Sequence, residues 1–174
     1  MPLLAGPYLG PDRLVTTASA MGCTISFGVQ VKGTYLLLDY PVMERWECSV
    51  NQLAEVANAN LDGRAARLSP ADVKHGVLAG RITRVLDSVP WATSLLLAPI
   101  HLVRVFGGED QLFGTPQREV LVSLPIDTPA RVAAHILSEF EENAAYPLLL
   151  DPFALIDDKL IWQDLTDEQE PEAW

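Results

Sequence analysis

VLVSLPIDTPARVAAHILSEFEENAA, residues 120–145, carries the clearest structural pattern in the chain. Val120 to Leu124 is a short apolar run closed by Pro125, the pattern of a buried strand. Asp127 or Thr128 offers a cap for a helix beginning near Pro129, and Pro147 ends it. Within that helix Val132, Ala133, Ile136, Leu137, Phe140 and Ala144 make one apolar face, while Arg131, His135, Glu139 and Glu142 take exposed positions. The Val132, Ile136, Leu137 and Phe140 side is expected to pack on a sheet that contains Val120 to Leu124. If Phe140 is fully buried there, truncating it to alanine costs about 3–5 kcal/mol.

Upstream, the first twelve residues hold three prolines and two glycines and read as an irregular arm, with Leu14 to Ala20 beginning the fold. Cys23 to Val31 alternates as a strand, with Cys23, Ile25, Phe27, Val29 and Val31 on one side. Lys32-Gly33 turns it into a second strand, Thr34 to Tyr40, giving an antiparallel hairpin. Ser49 and Gln52 stand in capping-box spacing ahead of a helix reaching Leu61, with Leu53, Val56, Ala57 and Leu61 as its apolar stripe and Asp62-Gly63 as its stop. Ser69-Pro70 with Asp72 starts another short helical turn towards Leu78, and Ile82 to Asp87 favours a strand. Trp91 to Phe106 suits either a buried strand or a helix face, with Pro99 as a break in both. Gly107-Gly108 ends it, and Glu109 to Gly114 reads as a turn from helix to strand. Beyond Pro147, Leu148 to Leu150 and Leu155-Ile156 are short apolar pieces, and Leu160 to Trp162 forms a terminal strand after an Asp157-Asp158 turn.

These elements predict an α+β or α/β fold: one compact domain over residues 1–163, a mostly antiparallel or mixed sheet packed by helices, then an acidic tail over 164–174. Four stretches also resemble the YtpQ-like family of bacterial proteins: LAEVANANL (53–61), WATSLLLAP (91–99), EVLVSLPIDTP (119–129) and LLLDPFALIDDKLIW (148–162). The resemblance spans residues 49–162. It implies a helix near Trp91 to Phe106 and a strand ending at Pro125. It brings no established reaction or cofactor. Some members carry serine, arginine and aspartate in the turn after the proline matching Pro125. This chain has Ile126-Asp127-Thr128 there, which keeps only the acidic position.

The 174 residues are 49% hydrophobic and 20% charged, ordinary globular values. No apolar run approaches the roughly 20 residues of a membrane-spanning helix, and MPLLAGPYLGPDRL lacks the parts of a signal peptide, so a cytoplasmic protein is expected. The net charge of -11 is uneven: from Glu139 onward there are eleven acidic residues against Lys159 alone. Such a field repels phosphate backbones, so nucleic acid is not an expected partner, nor is a membrane.

Chemistry leaves few traces. His75, His101 and His135 have no HxH or HExxH spacing, and Cys23 and Cys48 form no CxxC, so no metal or other cofactor is implied. Ser19, Ser94 and Ser123 lack a nucleophile elbow. Asp151, Asp157 and Asp158 do not match a calcium loop. Trp46, Trp91 and Trp162 are expected in the core, and Trp174 outside it. The features favour a protein-interaction or regulatory module whose partner-binding residues are Asp164, Asp167, Glu168, Glu170, Glu172 and Trp174, facing a basic protein. A hydrolase with a dispersed polar site and a toxin-neutralising immunity protein are the alternatives, and homo-oligomerisation stays open.

Overall fold

The computed structural model describes residues 1–5, 14–18, 24–32, 34–108, 110–142, 147–157 and 159–163. In chain order β1 (Pro2–Ala5), β2 (Thr16–Ala18), β3 (Thr24–Val31) and β4 (Thr34–Leu37) precede α1 (Tyr40–Arg45) and α2 (Val50–Ala65). Then come β5 (Lys74–Leu78), β6 (Arg81–Leu86), α3 (Pro99–Phe106), β7 (Gln111–Gln117), β8 (Val120–Pro125), α4 (Ala130–Glu141), β9 (Pro147–Ile156) and β10 (Lys159–Trp162). Two sheets result. In the first, β3 is central and pairs β1, β2 and β4. In the second the order is β10-β9-β7-β8-β6-β5, which is three two-residue hairpins laid side by side. The described pairings are all antiparallel, giving a single α+β domain. Among the described residues no helix is long and apolar enough to cross a membrane.

The VLVSL run is buried from Val120 to Leu124 because both faces of β8 are covered. Its alternate residues Val120, Val122 and Leu124 join Leu112 and Ala154 under the Ala133, Ile136 and Leu137 face of α4. Leu121 points the other way, into a larger core with Phe113, Phe153, Leu155, Leu61 of α2, and Leu102 and Phe106 of α3. The Phe106 and Phe113 rings meet edge to face at 5.1 Å. Phe140 flanks the α4 cluster half-buried, so its truncation costs less than full burial implies.

Several expectations need correction. Pro2–Ala5, read within an irregular arm, pairs with β3. The strand expected to reach Tyr40 stops at Leu37, and Asp39 caps α1 instead; its carboxylate accepts from the Val42 N–H at 3.0 Å. On β3 the Ser26 and Gly28 side is buried as well as Phe27, whereas Val29 and Val31 are exposed. The reason is that β1 lays Leu3 across Gly28. The Ser49 helix forms with its capping box intact but runs past Asp62-Gly63 to Ala65. Its buried stripe is Ala57, Leu61 and Ala65, and Val56, one residue off the four-residue spacing, is 61% exposed. After Ser69 only Pro70–Asp72 is helical, and the residues from Lys74 to Leu78 are β5. The Trp91 to Phe106 run, open between strand and helix from its periodicity, is helical in two pieces: a 3-10 segment, Ala92–Leu97, and then α3, which Pro99 opens.

Of the Glu109 to Gly114 stretch, expected as a turn, Gln111 to Gly114 belong to the buried central strand β7, and the two apolar pieces from Leu148 to Ile156 are one strand, β9. Neither Asp127 nor Thr128 caps α4. Asp127 reaches Arg81 at 3.5 Å, and the Thr128 hydroxyl is buried without a described partner. Trp91 is buried, but Trp46 and Trp162 are 51% and 53% exposed.

Two stability experiments follow from this packing. A Cβ on Gly114 would lie 2.2 Å from Leu137 Cδ2, so Gly114→Ala is expected to cost about 1–3 kcal/mol in urea unfolding, and less in a Leu137→Ala background. Ser49→Ala, which removes the acceptor for the Gln52 N–H at 3.3 Å, should cost about 1 kcal/mol in the same measurement.

Candidate functional site

Asp164, Asp167, Glu168, Glu170, Glu172 and Trp174 lie outside the described residues, as do Ser19, Cys23 and Asp158. The chain is described as far as Gln163, whose N–H donates to the Pro152 carbonyl at 2.9 Å. The remaining residues singled out from the sequence are dispersed. His75 is exposed on β5, and His135 stands on the outer side of α4 beside Glu139, 3.4 Å away. Cys48 is half-buried with its thiol 3.8 Å from the Met43 carbonyl. Ser94 and Ser123 are fully buried. The Ser123 hydroxyl donates to Gln111 Oε1, which also accepts from Arg84 at 3.3 Å, while the Gln111 amide donates to the Gly108 carbonyl at 2.8 Å. This polar cluster closes on itself inside the sheet. Among the described residues, no group of three or more His, Cys, Asp or Glu side chains is placed to hold a metal ion.

His101 comes nearest to a catalytic pairing. Its Nε2 is 2.7 Å from Asp62 Oδ1, and its Nδ1 faces Arg104 Nη2 at 3.2 Å. A guanidinium can only donate, so Nδ1 accepts and Nε2 carries the proton donated to Asp62. Both ring nitrogens are therefore engaged, and neither is free to serve a substrate as a base. Arg104 also donates to the Leu68 carbonyl and, at 2.6 Å, to the Ala65 carbonyl. The first of these follows α2 by three residues and the second is the last of the helix, where acceptors are left without an intrahelical partner. The trio is a clamp between α2 and α3.

Beside this clamp an open cleft of about 530 Å³ lies over the last turns of α2. Asn60, Gly63 and Arg64 line it from the helix, Arg67, Leu68 and Asp72 from the turns that follow, and Val89 and Trp91 from the approach to the 3-10 helix. Arg64 is half-buried and oriented by two neutral acceptors, Tyr35 Oη at 2.9 Å and Gln30 Oε1 at 3.1 Å. Burial pushes the Tyr35 hydroxyl above its ordinary pKa, and the Arg64 cation partly offsets that. Asp72 is turned to the Ser69 N–H at 2.7 Å and the Ser69 hydroxyl at 3.0 Å. Arg64 and Arg67 escaped the sequence reading because the helix was ended at Leu61. Arg64 stands in the last turn of the helix and Arg67 in the turn just after it, and both line the cleft.

A different surface lies at the edge of the large sheet. β10 pairs only β9 among the described strands, and it exposes Ile161 (47%) and Trp162 (53%) on opposite faces. Ile161 sits opposite Ala154 and Trp162 opposite Phe153.

Replacing Arg104 with methionine keeps the aliphatic stem but leaves the Ala65 and Leu68 carbonyls without their charged donor. The expected loss is about 1.5–3 kcal/mol of unfolding free energy, read by urea denaturation. A variant as stable as the parent would show that the clamp contributes nothing.

No family model, no curated protein and no solved structure matches this chain.

Proposed function

We propose that the protein is an interaction module that receives a basic protein partner along β10 and the acidic segment Asp164 to Trp174. The observation that carries this reading is the exposed Ile161-Trp162 pair on an edge strand, continued directly by a stretch with five acids in eleven residues. An edge strand offers unpaired backbone groups for strand addition, and a half-exposed tryptophan supplies apolar contact area at low entropic cost. The acids after it favour a partner with a basic surface and speed its approach. Kinship with the YtpQ-like family and action in the cytoplasm belong to the same proposal. A basic toxin neutralised by this protein is one form that such a partner takes.

Affinity capture from native extract with the full chain, a version ending at Gln163 and a Trp162→Ser variant tests it. The expected result is a basic protein held by the full chain and lost from both variants. Equal retention by the two variants overturns the proposal, and so does substrate turnover by a protein that captures nothing.

A further inference from the structure

We propose that the cleft over the end of α2 is a binding site for a small ligand carrying an oxyanion, carboxylate or phosphate, on an apolar body. The oxyanion meets the guanidinium groups of Arg64 and Arg67, and the apolar body lies over Leu68, Val89 and the edge of Trp91. The site is separate from the β10 surface and does not depend on it.

Four observations carry this. First, both described bonds of Arg64 leave from Nη1 and end on neutral oxygens, so no carboxylate among the described residues neutralises it, and Nη2 and Nε have no described acceptor. Guanidinium nitrogens in that state suit two-point capture of a carboxylate or phosphate. Second, Arg67 is exposed at the same cleft and has no ion pair among the described residues. Two arginines there outweigh Asp72, whose Oδ2 is held by Ser69.

Third, the negative end of the α2 dipole would oppose an anion, but Arg104 donates to the Ala65 carbonyl at that end and to the Leu68 carbonyl just beyond it, which places a cation there. The acidic bias of the whole chain weighs little, because exposed charges beyond about 8 Å are largely screened at physiological salt. Fourth, Gly63 has no packing reason to be glycine: a Cβ there would meet nothing within 4 Å, and its φ is not in the left-handed region. Glycine inside a helix is unfavourable relative to alanine. Here its effect is to keep one wall of the cleft low. At about 530 Å³ the cleft falls within the range of small-molecule sites.

The test is a titration of the ¹⁵N-labelled full chain, followed through the Arg64 and Arg67 Nε–H and the Trp91 indole N–H resonances. The probes are phenyl phosphate, benzoate, inorganic phosphate and benzyl alcohol. Saturable shifts with phenyl phosphate or benzoate, weaker with inorganic phosphate and absent with benzyl alcohol, are expected, and the stronger of the first two identifies the oxyanion. Arg67→Gln should weaken binding about tenfold with the melting temperature unchanged. Gly63→Leu should raise the low wall of the cleft, narrow it and weaken binding. Arg67→Gln suffices by itself if the leucine disturbs the fold. Absence of saturable shifts with both aromatic probes, or equal affinity in Arg67→Gln, overturns the proposal.

Discussion

Leu137 occupies the space that a side chain at position 114 would need, and much of the large sheet is arranged around that contact. Because α4 presses its Ala133, Ile136 and Leu137 face onto β7, β8 and β9, the strand beneath has to offer a flat spot. Gly114 provides it. The pairing is irregular close by, where that of β7 with β8 shifts between Gly114 and Gln117 and that with β9 between Phe113 and Thr115. Pro116 lies in the first of these irregular stretches, where a missing N–H costs least. On the opposite face Phe113 and Phe153 are paired and fully buried. One residue without a side chain thus lets two layers of helices approach the same strand.

The same contact explains what could and could not be read from the sequence. The Val120–Leu124 strand and the helix after it were legible because each obeys a single period with one dominant burial direction. β7 was not, because Gly114, whose side-chain space is taken by Leu137 of a helix later in the chain, and Pro116 look locally like turn residues. β9 reads as two pieces for a similar reason: Asp151-Pro152 interrupts its apolar pattern, and these residues fall in the extra length of β9 between the Phe113–Phe153 and Thr115–Leu149 pairs. Asp39 with Pro41 was a helix-start signal available in the sequence and overlooked, since the apolar run Leu36 to Leu38 favoured extending the strand. The exposed Trp46 and Trp162 show the limit of composition, because a tryptophan's size gives no direction. Of the cleft, nothing was legible: Arg64 and Arg67 become neighbours of Trp91 only when the α2 end, the Pro70–Asp72 turn and the 3-10 helix are brought together.

α2 is the element that makes those neighbourhoods. Its Ala57 faces the small core formed by Val15, Phe27 and Leu38 between the first sheet and α1. One and two turns later Leu61 and Ala65 enter the large core together with Leu3 of β1. The helix therefore belongs to both sheets, and its last turn is fixed a third time by Arg104 and His101 of α3. A glycine so near that heavily held end is tolerated because packing and side-chain bonds, rather than intrinsic propensity, hold the helix there.

The three hairpins of the large sheet also set an order of assembly. Each closes over two residues, and Ala79 and Gly80 of the β5–β6 turn take the positive φ values that suit a right-twisted hairpin. Such closures cost little chain entropy and need no distant part of the protein. Joining the hairpins is different: β6 meets β8 only after α3 and β7 have been spanned, and β7 meets β9 only across β8 and α4. The slow events in forming this sheet are therefore the two seams either side of the β7–β8 hairpin, and α4 seals one of them by resting on β7 and β9 together.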